Sequence, residues 1–121
     1  MPSVSGSRQI VFIADDFGAS ARVNASISQA HQEGVLTGAG LMPGQDGTEE
    51  AIRMAAALPD LEIGWHLHVC DSRPMTCPWW PWGRSPFAAA IALTLSPAAR
   101  RLVRAELSAQ WESFQRSGLR C

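Results

Sequence analysis

The segment IVFIADDFGAS, residues 10–20, joins an apolar run to two adjacent carboxylates and a glycine. Its first five residues belong to a β-branched and aromatic stretch, QIVFIA, which predicts a strand covered on both faces. Asp15 and Asp16 follow at the strand end, where two neighbouring charges are costly to desolvate without a cation. The pair therefore favours a functional site over turn chemistry, in which Asp15 caps the next turn and Asp16 pairs with Arg22.

A helix is predicted directly after this segment, over residues 21–33. Ser20 serves as its cap and Gly34 as its stop, and its apolar face comprises Val23, Ile27 and Ala30. Asn24 lies one turn into the helix, and either faces solvent or reaches the acidic loop; the second reading is favoured. His31 is expected at the surface or in the C-terminal turn of the helix, where a cation suits the helix dipole.

Strand and helix patterns continue to alternate along the chain. The remaining predictions are a strand at 36–42, a helix from Thr48 that ends before Pro59, a strand at 61–69, a loop at 71–86 and a helix at 96–118. The last helix has Ser96 at its cap and Gly118 at its stop, with an apolar face formed by Val103, Leu107, Trp111 and Phe114.

The order β-α-β-α-β-loop-α predicts an α/β fold with a parallel sheet. The carboxyl ends of its strands carry Asp15, Asp16, His66 and His68. Strand alternation places both histidines on one side and Trp65 with Leu67 on the other. Each histidine is either a ligand or a satisfied structural residue. One carboxylate with one or two imidazoles begins a divalent-metal site, and the other carboxylate suits a general base.

Composition narrows the class of protein. The chain has 121 residues, 46% of them hydrophobic, and a formal net charge of −1, which suits one small domain and gives no basic footprint for nucleic acid. The apolar run at 87–95 is too short to span a membrane, so we expect it to be buried or to form an interface helix. Cys70, Cys77 and Cys121 lack close pairing, which favours a reduced, cytoplasmic setting.

The loop at 71–86 is rich in proline and tryptophan. Trp79, Trp80 and Trp82 provide either hydrophobic cover or a platform for a sugar or lipid, because flat rings suit both. Both readings stay open at this point.

Response-regulator receiver domains also carry an acidic pair after their first strand, in a chain of similar size. Their mechanism needs a phospho-accepting Asp at the end of the third strand and a later Lys. Here the third strand ends in histidines and the chain has no Lys, which excludes that class.

Longer segments resemble a known family. Residues 13–42, IADDFGASARVNASISQAHQEGVLTGAGLM, followed by IGWHLHV and DSRP, are similar to the N-terminal part of the YdjC-like (ChbG) carbohydrate deacetylases. Residues 95–119 resemble more narrowly the hopanoid-biosynthesis-associated HpnK subgroup. The resemblance runs over about residues 8–119, and the combination of A-D-D-F-G with G-x-H-L is specific.

The resemblance implies a metal-dependent hydrolase that deacetylates an N-acetylated amino sugar on a (β/α) barrel-like fold. It implies that Asp15 is the general base and that Asp16 and His66 are metal ligands, with Mg²⁺ or Zn²⁺ as the cation. For the HpnK subgroup the implied substrate is an N-acetylglucosaminyl hopanoid, a sugar on a lipid that the tryptophan-rich loop would suit.

Three departures from the family pattern shape the remaining expectations. Ser72 replaces a glycine, residues 41–51 are less typical, and a later H-x-H segment that supplies a further ligand is absent. We therefore expect residues 1–121 to be a single, C-terminally truncated YdjC-like domain whose exposed edges favour oligomers. His68 is a substitute ligand that strand spacing disfavours. The alternative function is a catalytically inactive remnant or binding module.

Overall fold

Strands and helices alternate along residues 10–119, the part of the chain that the computed structural model describes. The elements are β1 (Ile13–Phe17), α1 (Ala21–Glu33), β2 (Gly38–Leu41), α2 (Thr48–Ala56), β3 (Glu62–Trp65), α3 (Pro86–Leu95) and α4 (Pro97–Arg116). The predicted order is confirmed, with α3 as an additional helix before α4. Cys121 and Gln9, which the sequence analysis included, lie outside the described residues.

The three strands form a parallel sheet in the order β1-β2-β3, which confirms the predicted fold class. Ala14 of β1 pairs with Ala39, and Phe17 pairs with Leu41. Between these pairs β1 contains one residue more than β2, so the two aspartates of β1 form a β-bulge. Bulges redirect side chains, and this one lies at the carboxyl edge of the sheet.

The first strand differs from its prediction. It begins at Ile13 rather than at residue 9, includes both aspartates, and is not covered on both faces: the exposed fractions of Ile10 and Ile13 are 74% and 67%. The reason is its position, because within residues 10–119 β1 pairs with β2 alone and forms an edge of the sheet. Its apolar pattern resembles that of a central strand, but among the described residues no second strand pairs with it.

The main core lies between the sheet and helices α1, α2 and α4. Its buried members are Phe17, Ile27, Ala39, Leu41, Ala51, Ala55, Leu61, Ile63 and Phe114. Burial of each large apolar side chain contributes about 1.5–3 kcal/mol. Helix α1 has the predicted bounds and cap, since the Ser20 hydroxyl accepts from Val23 N at 3.3 Å. Its predicted face is only partly correct, because Ala30 is exposed.

Helix α4 also has the predicted cap, with the Ser96 hydroxyl 3.2 Å from Ala99 N. Its predicted apolar face is partly wrong. The residues it buries are Glu106, Gln110 and Phe114, whereas 40% of Trp111 remains exposed. The helix is rotated so that two polar side chains face inward, and these residues hold the loop after β3.

The apolar run at 87–95 forms helix α3. Of the two alternatives predicted for this run, burial is wrong, since only Ala89 is buried and Phe87 and Leu95 are each 75% exposed. The run does form a helix, and its role at an interface stays a prediction. The helix contacts α4 and the tryptophan cluster through its alanines, which turns the larger side chains outward. No helix within residues 10–119 has the length and apolarity that crossing a membrane requires.

Candidate functional site

Asp16 occupies the bulge of β1 in an uncommon backbone conformation, with a φ angle of 65°. Few non-glycine residues adopt the left-handed region, although Asp does so more readily than most. Its Oδ1 atom accepts a hydrogen bond from Nε2 of His66 at 3.1 Å. His66 is the first residue after β3, so the ends of β1 and β3 meet although β2 lies between them. The alternative pairing of Asp16 with Arg22 is wrong.

Gly40 of β2 lies beside His66, and because it has no side chain it leaves space for that residue. A Cβ atom at Gly40 would lie 2.9 Å from His66 Cβ and 3.4 Å from its Cγ, closer than ordinary carbon contacts of about 3.5–4.0 Å. The backbone N–H of His66 donates to Leu41 O at 2.9 Å. The missing side chain and this hydrogen bond together hold the imidazole over the middle strand.

Asp15, the predicted general base, is the neighbour of Asp16 in the bulge. Its side chain is exposed and takes part in no side-chain hydrogen bond within residues 10–119. A carboxylate in this state is accessible to water, as a general base must be. Its catalytic role stays a prediction.

The loop after β1 is braced by Asn24, which is fully buried in α1. Its Oδ1 accepts from Gly18 N at 2.7 Å, and its Nδ2 donates to Gly47 O at 2.9 Å and to Glu50 Oε2 at 2.8 Å. Asn24 therefore reaches the acidic loop, as favoured from the sequence, and is not solvent-facing. It connects the loop to the start of α2.

Gly18 must be a glycine for two reasons. Its φ angle is 96°, and a Cβ atom there would lie 3.1 Å from the carbonyl oxygen of Met42 and 3.2 Å from Thr48 Cα. Both the conformation and the backbone contacts disfavour a side chain here. Gly18, two residues after Asp16, therefore lets the chain turn at this point.

His68, the substitute ligand, is buried and differs in role from His66. Its Nε2 lies 2.9 Å from Pro43 O, and its Nδ1 lies 2.8 Å from Ser72 Oγ. A carbonyl oxygen only accepts, so Nε2 carries the proton and Nδ1 accepts from the hydroxyl. Burial lowers the pKa of His68 below its usual 6.5 against the opposing effect of the Pro43 carbonyl, which favours a neutral ring. Ligation by His68 would break one of these hydrogen bonds.

Two buried polar residues of α4 hold the loop that follows β3. Gln110 accepts from His68 N at 3.1 Å through Oε1, and through Nε2 donates to His68 O at 2.8 Å and to Glu106 Oε1 at 2.9 Å. Glu106 also accepts from the backbone N–H groups of Met75 and Thr76. Burial alone would raise the pKa of Glu106, but these hydrogen bonds hold it below its usual value. Neither residue is among those predicted for the site from the sequence.

A cavity of about 300 Å³ adjoins Asp16 and His66, and its lining includes Cys70 and Asp71. The side chains of Asp16 and His66 are 58% and 32% exposed, so a cation can reach both. A carboxylate oxygen and an imidazole nitrogen are suitable ligands for a divalent metal. Within residues 10–119, however, no group of three or more His, Cys, Asp or Glu side chains is arranged to hold one. The two residues therefore fit part of a metal site.

A larger cavity, of about 670 Å³, lies between β3 and helices α3 and α4. Its lining is mainly apolar, with Trp65 and Trp111 among the aromatic residues and Arg100 and Arg104 as the charged ones. None of the described residues that line it is a carboxylate or a histidine.

The three tryptophans of the loop differ in exposure, which separates hydrophobic cover from a platform for a ligand. Trp80 and Trp82 are buried and stacked, with ring centroids 5.4 Å apart, whereas Trp79 is 75% exposed. Trp80 Nε1 also donates to Ser72 Oγ at 3.2 Å, so the serine that departs from the family pattern connects this cluster to His68. Trp80 and Trp82 provide hydrophobic cover, and only Trp79 is available to a ligand.

His31 lies in the last turn of α1, as predicted, and does not line the cavity beside Asp16 and His66. Its Nδ1 is 2.8 Å from Leu36 O, and the residue is half-buried. It serves to hold the connection between α1 and β2.

Comparison with known proteins places these features in a family. Residues 9–121 match the family of YdjC-like proteins. A carbohydrate deacetylase from Vibrio cholerae is 43% identical over 68 residues, which cover 56% of this chain and 27% of that protein. A carbohydrate deacetylase from Brevibacillus brevis is 41% identical over the same shares of each chain, 56% and 27%. The matched segment thus spans about a quarter of these curated relatives' length.

A solved structure extends the similarity to the fold. A candidate cellobiose-phosphate cleavage protein from Enterococcus faecalis superposes with a TM-score of 0.73 and 29% sequence identity. The similarity covers 91% of this chain and 44% of that one. Because the family match extends over residues 9–121, nearly the full sequence, this chain belongs to the YdjC-like protein family.

Proposed function

We propose that this chain takes part in the hydrolysis of an N-acetylated amino sugar to the free amine and acetate, with a divalent cation held in part by Asp16 and His66. The observation that carries this proposal is the 3.1 Å approach of Asp16 Oδ1 and His66 Nε2 at the carboxyl edge of a parallel sheet. Ligands of open α/β folds collect at this edge. The carbohydrate deacetylases of Vibrio cholerae and Brevibacillus brevis support the substrate class.

Each residue has a distinct role in this proposal. Asp16 and His66 hold Mg²⁺ or Zn²⁺, which when bound supplies a Lewis acid for the acetamide carbonyl. Asp15 accepts a proton from the attacking water, because its carboxylate is exposed and lies beside Asp16 in the bulge. Asn24 and Gly18 hold the loop that carries both acids.

The ligand count leaves room for a second candidate function. Catalytic zinc sites commonly have three protein ligands, and residues 10–119 bring two together. In the hydrolase proposal a further ligand comes from outside these residues. In the alternative, the chain binds a sugar without hydrolysing it.

Acetate release distinguishes the two candidates. The purified chain is incubated with N-acetylglucosamine oligomers and Zn²⁺ or Mg²⁺, and acetate and free amine are measured. Asp15→Asn should bind the metal as tightly as the wild type but lose about 10²- to 10⁴-fold in rate. Asp60→Asn, an exposed acid in the turn before β3, is the matched control and should change neither quantity. Binding of the N-acetylglucosamine oligomers without acetate release would favour the binding module.

We further propose, more narrowly, that the sugar is carried on a lipid such as a hopanoid, as in the HpnK subgroup. The support is the exposed Trp79, which offers an apolar ring to such a group. Trp79→Ala should weaken turnover of a lipid-linked N-acetylglucosamine more than that of the soluble sugar, and Val35→Ala, another exposed apolar residue, should affect neither. Equal losses on both substrates would contradict the lipid assignment.

We also propose that the protein acts in a reducing, cytoplasmic setting. It is supported by the two described cysteines, Cys70 and Cys77, which are both free thiols. Labelling of both thiols in chain isolated under alkylating conditions is the expected result.

A further inference from the structure

We propose that Gln110 is a positioning residue for His66, acting through the backbone of His68. The inference rests on the proposed role of His66 as a metal ligand and adds a residue of α4 that does not touch the metal site. The amide of Gln110 is fully buried and lies 42 positions from His68 in sequence.

The contacts of Gln110 replace those of a neighbouring strand. β3 ends at Trp65, so His68 lies beyond the sheet. Gln110 nevertheless accepts from the N–H of His68 at 3.1 Å and donates to its C=O at 2.8 Å. Both backbone groups of His68 are thereby satisfied in a buried position, where an unpaired group would cost about 1–3 kcal/mol.

Glu106 fixes which way the amide of Gln110 faces. Its carboxylate can only accept, so it takes an N–H from Nε2 at 2.9 Å and directs Oε1 toward His68 N. A flipped amide would place two oxygens against each other. The orientation of Gln110 is therefore determined before any ligand binds.

The segment that carries His66 is held at both ends. The backbone N–H of His66 donates to Leu41 O at 2.9 Å, and two residues later the backbone of His68 is held by Gln110. Only Leu67 separates the two anchored residues. Pro43 O and Ser72 Oγ hold the ring of His68, so loss of the Gln110 amide releases its backbone alone. The two unpaired backbone groups of His68 must then find other partners, and this shift moves the His66 imidazole from its position over Gly40 and beside Asp16.

The test compares Gln110→Met, which keeps length and removes the amide, with Gln115→Met on the exposed face of the same helix. We expect Gln110→Met to lose nuclear Overhauser contacts between the His66 ring and Gly40 Hα, and to bind Zn²⁺ about ten- to a hundredfold more weakly. Gln115→Met should match the wild type in both. Unchanged ring contacts in a folded Gln110→Met variant would overturn the proposal.

Two further results keep this inference separate from the proposed function. If the wild type binds no Zn²⁺ but the ring contacts still depend on Gln110, the positioning role holds and the metal site fails. If Gln110→Met does not fold, amide hydrogen exchange of His68 in the wild type decides. Protection comparable with that of the β2 amides supports the role, and exchange at the rate of an exposed loop overturns it.

Discussion

Replacement of Gly40 by Ala tests the spatial basis of the site directly. The added Cβ atom would lie 2.9 Å from His66 Cβ, about 0.6–1 Å inside ordinary contact distance. Neither partner is the far end of a flexible side chain, so the backbone after β3 must shift. A displacement of this size is enough to break the 3.1 Å hydrogen bond between His66 and Asp16.

The expected loss of stability follows from two opposing terms. Overpacking costs about 1–3 kcal/mol, whereas Gly to Ala at a permitted backbone conformation gains about 0.4–1 kcal/mol through the unfolded state. Neither Gly40 nor Gly64 has a positive φ angle, so both receive this gain. Gly64 is the register partner of Gly40, and a Cβ there meets nothing within 4 Å. It is therefore the matched control.

Thermal unfolding and calorimetric Zn²⁺ titration measure the two effects. Gly40→Ala should unfold about 4–10 °C below the wild type and bind Zn²⁺ at least about tenfold more weakly, whereas Gly64→Ala should equal or exceed the wild-type Tm. Identical behaviour of the two variants would refute the claim that Gly40 makes room for His66.

Three other predictions follow from buried contacts. Asn24→Ala leaves the N–H of Gly18 unpaired, and the free energy of unfolding in urea should fall by about 2–3 kcal/mol; a loss below about 0.5 kcal/mol would contradict the bracing role. The pKa of Glu106 is lowered on folding, so its contribution is full above its unfolded pKa of 4.5 and is lost as pH falls through the folded value. The difference in unfolding free energy between wild type and Glu106→Gln should therefore shrink between pH 7 and pH 3, and a constant difference would be inconsistent with this linkage. Trp80→Ala should cost about 3–5 kcal/mol and Trp79→Ala less than about 0.5 kcal/mol in the same assay, whereas similar losses would show that burial does not separate them.

The sequence predicts elements well where local chemistry determines them. Helix α1 has the bounds expected from the Ser20 cap and the Gly34 stop, and α4 follows the cap at Ser96. Capping depends on a few adjacent residues, so these boundaries are visible without a structure. The parallel sheet likewise follows from the alternation of elements.

Long-range contacts explain what the sequence analysis missed. The register shift that places Asp16 in a left-handed bulge depends on how β1 pairs with β2. Glu106 and Gln110 resemble surface residues in the sequence because most of their hydrogen-bond partners lie on a distant loop. Their spacing with Phe114, four residues apart at each step, is the one signal that could have placed them on the inner face.

Calorimetric titration of the chain with Zn²⁺ tests the central claim most directly, since it asks whether Asp16 and His66 act as one binding pair. The wild type and His31→Ala, a histidine outside the cavity, should bind one equivalent, and Asp16→Asn and His66→Ala should each lose that binding. Binding that survives both site variants, or no binding by the folded wild type, would contradict the account.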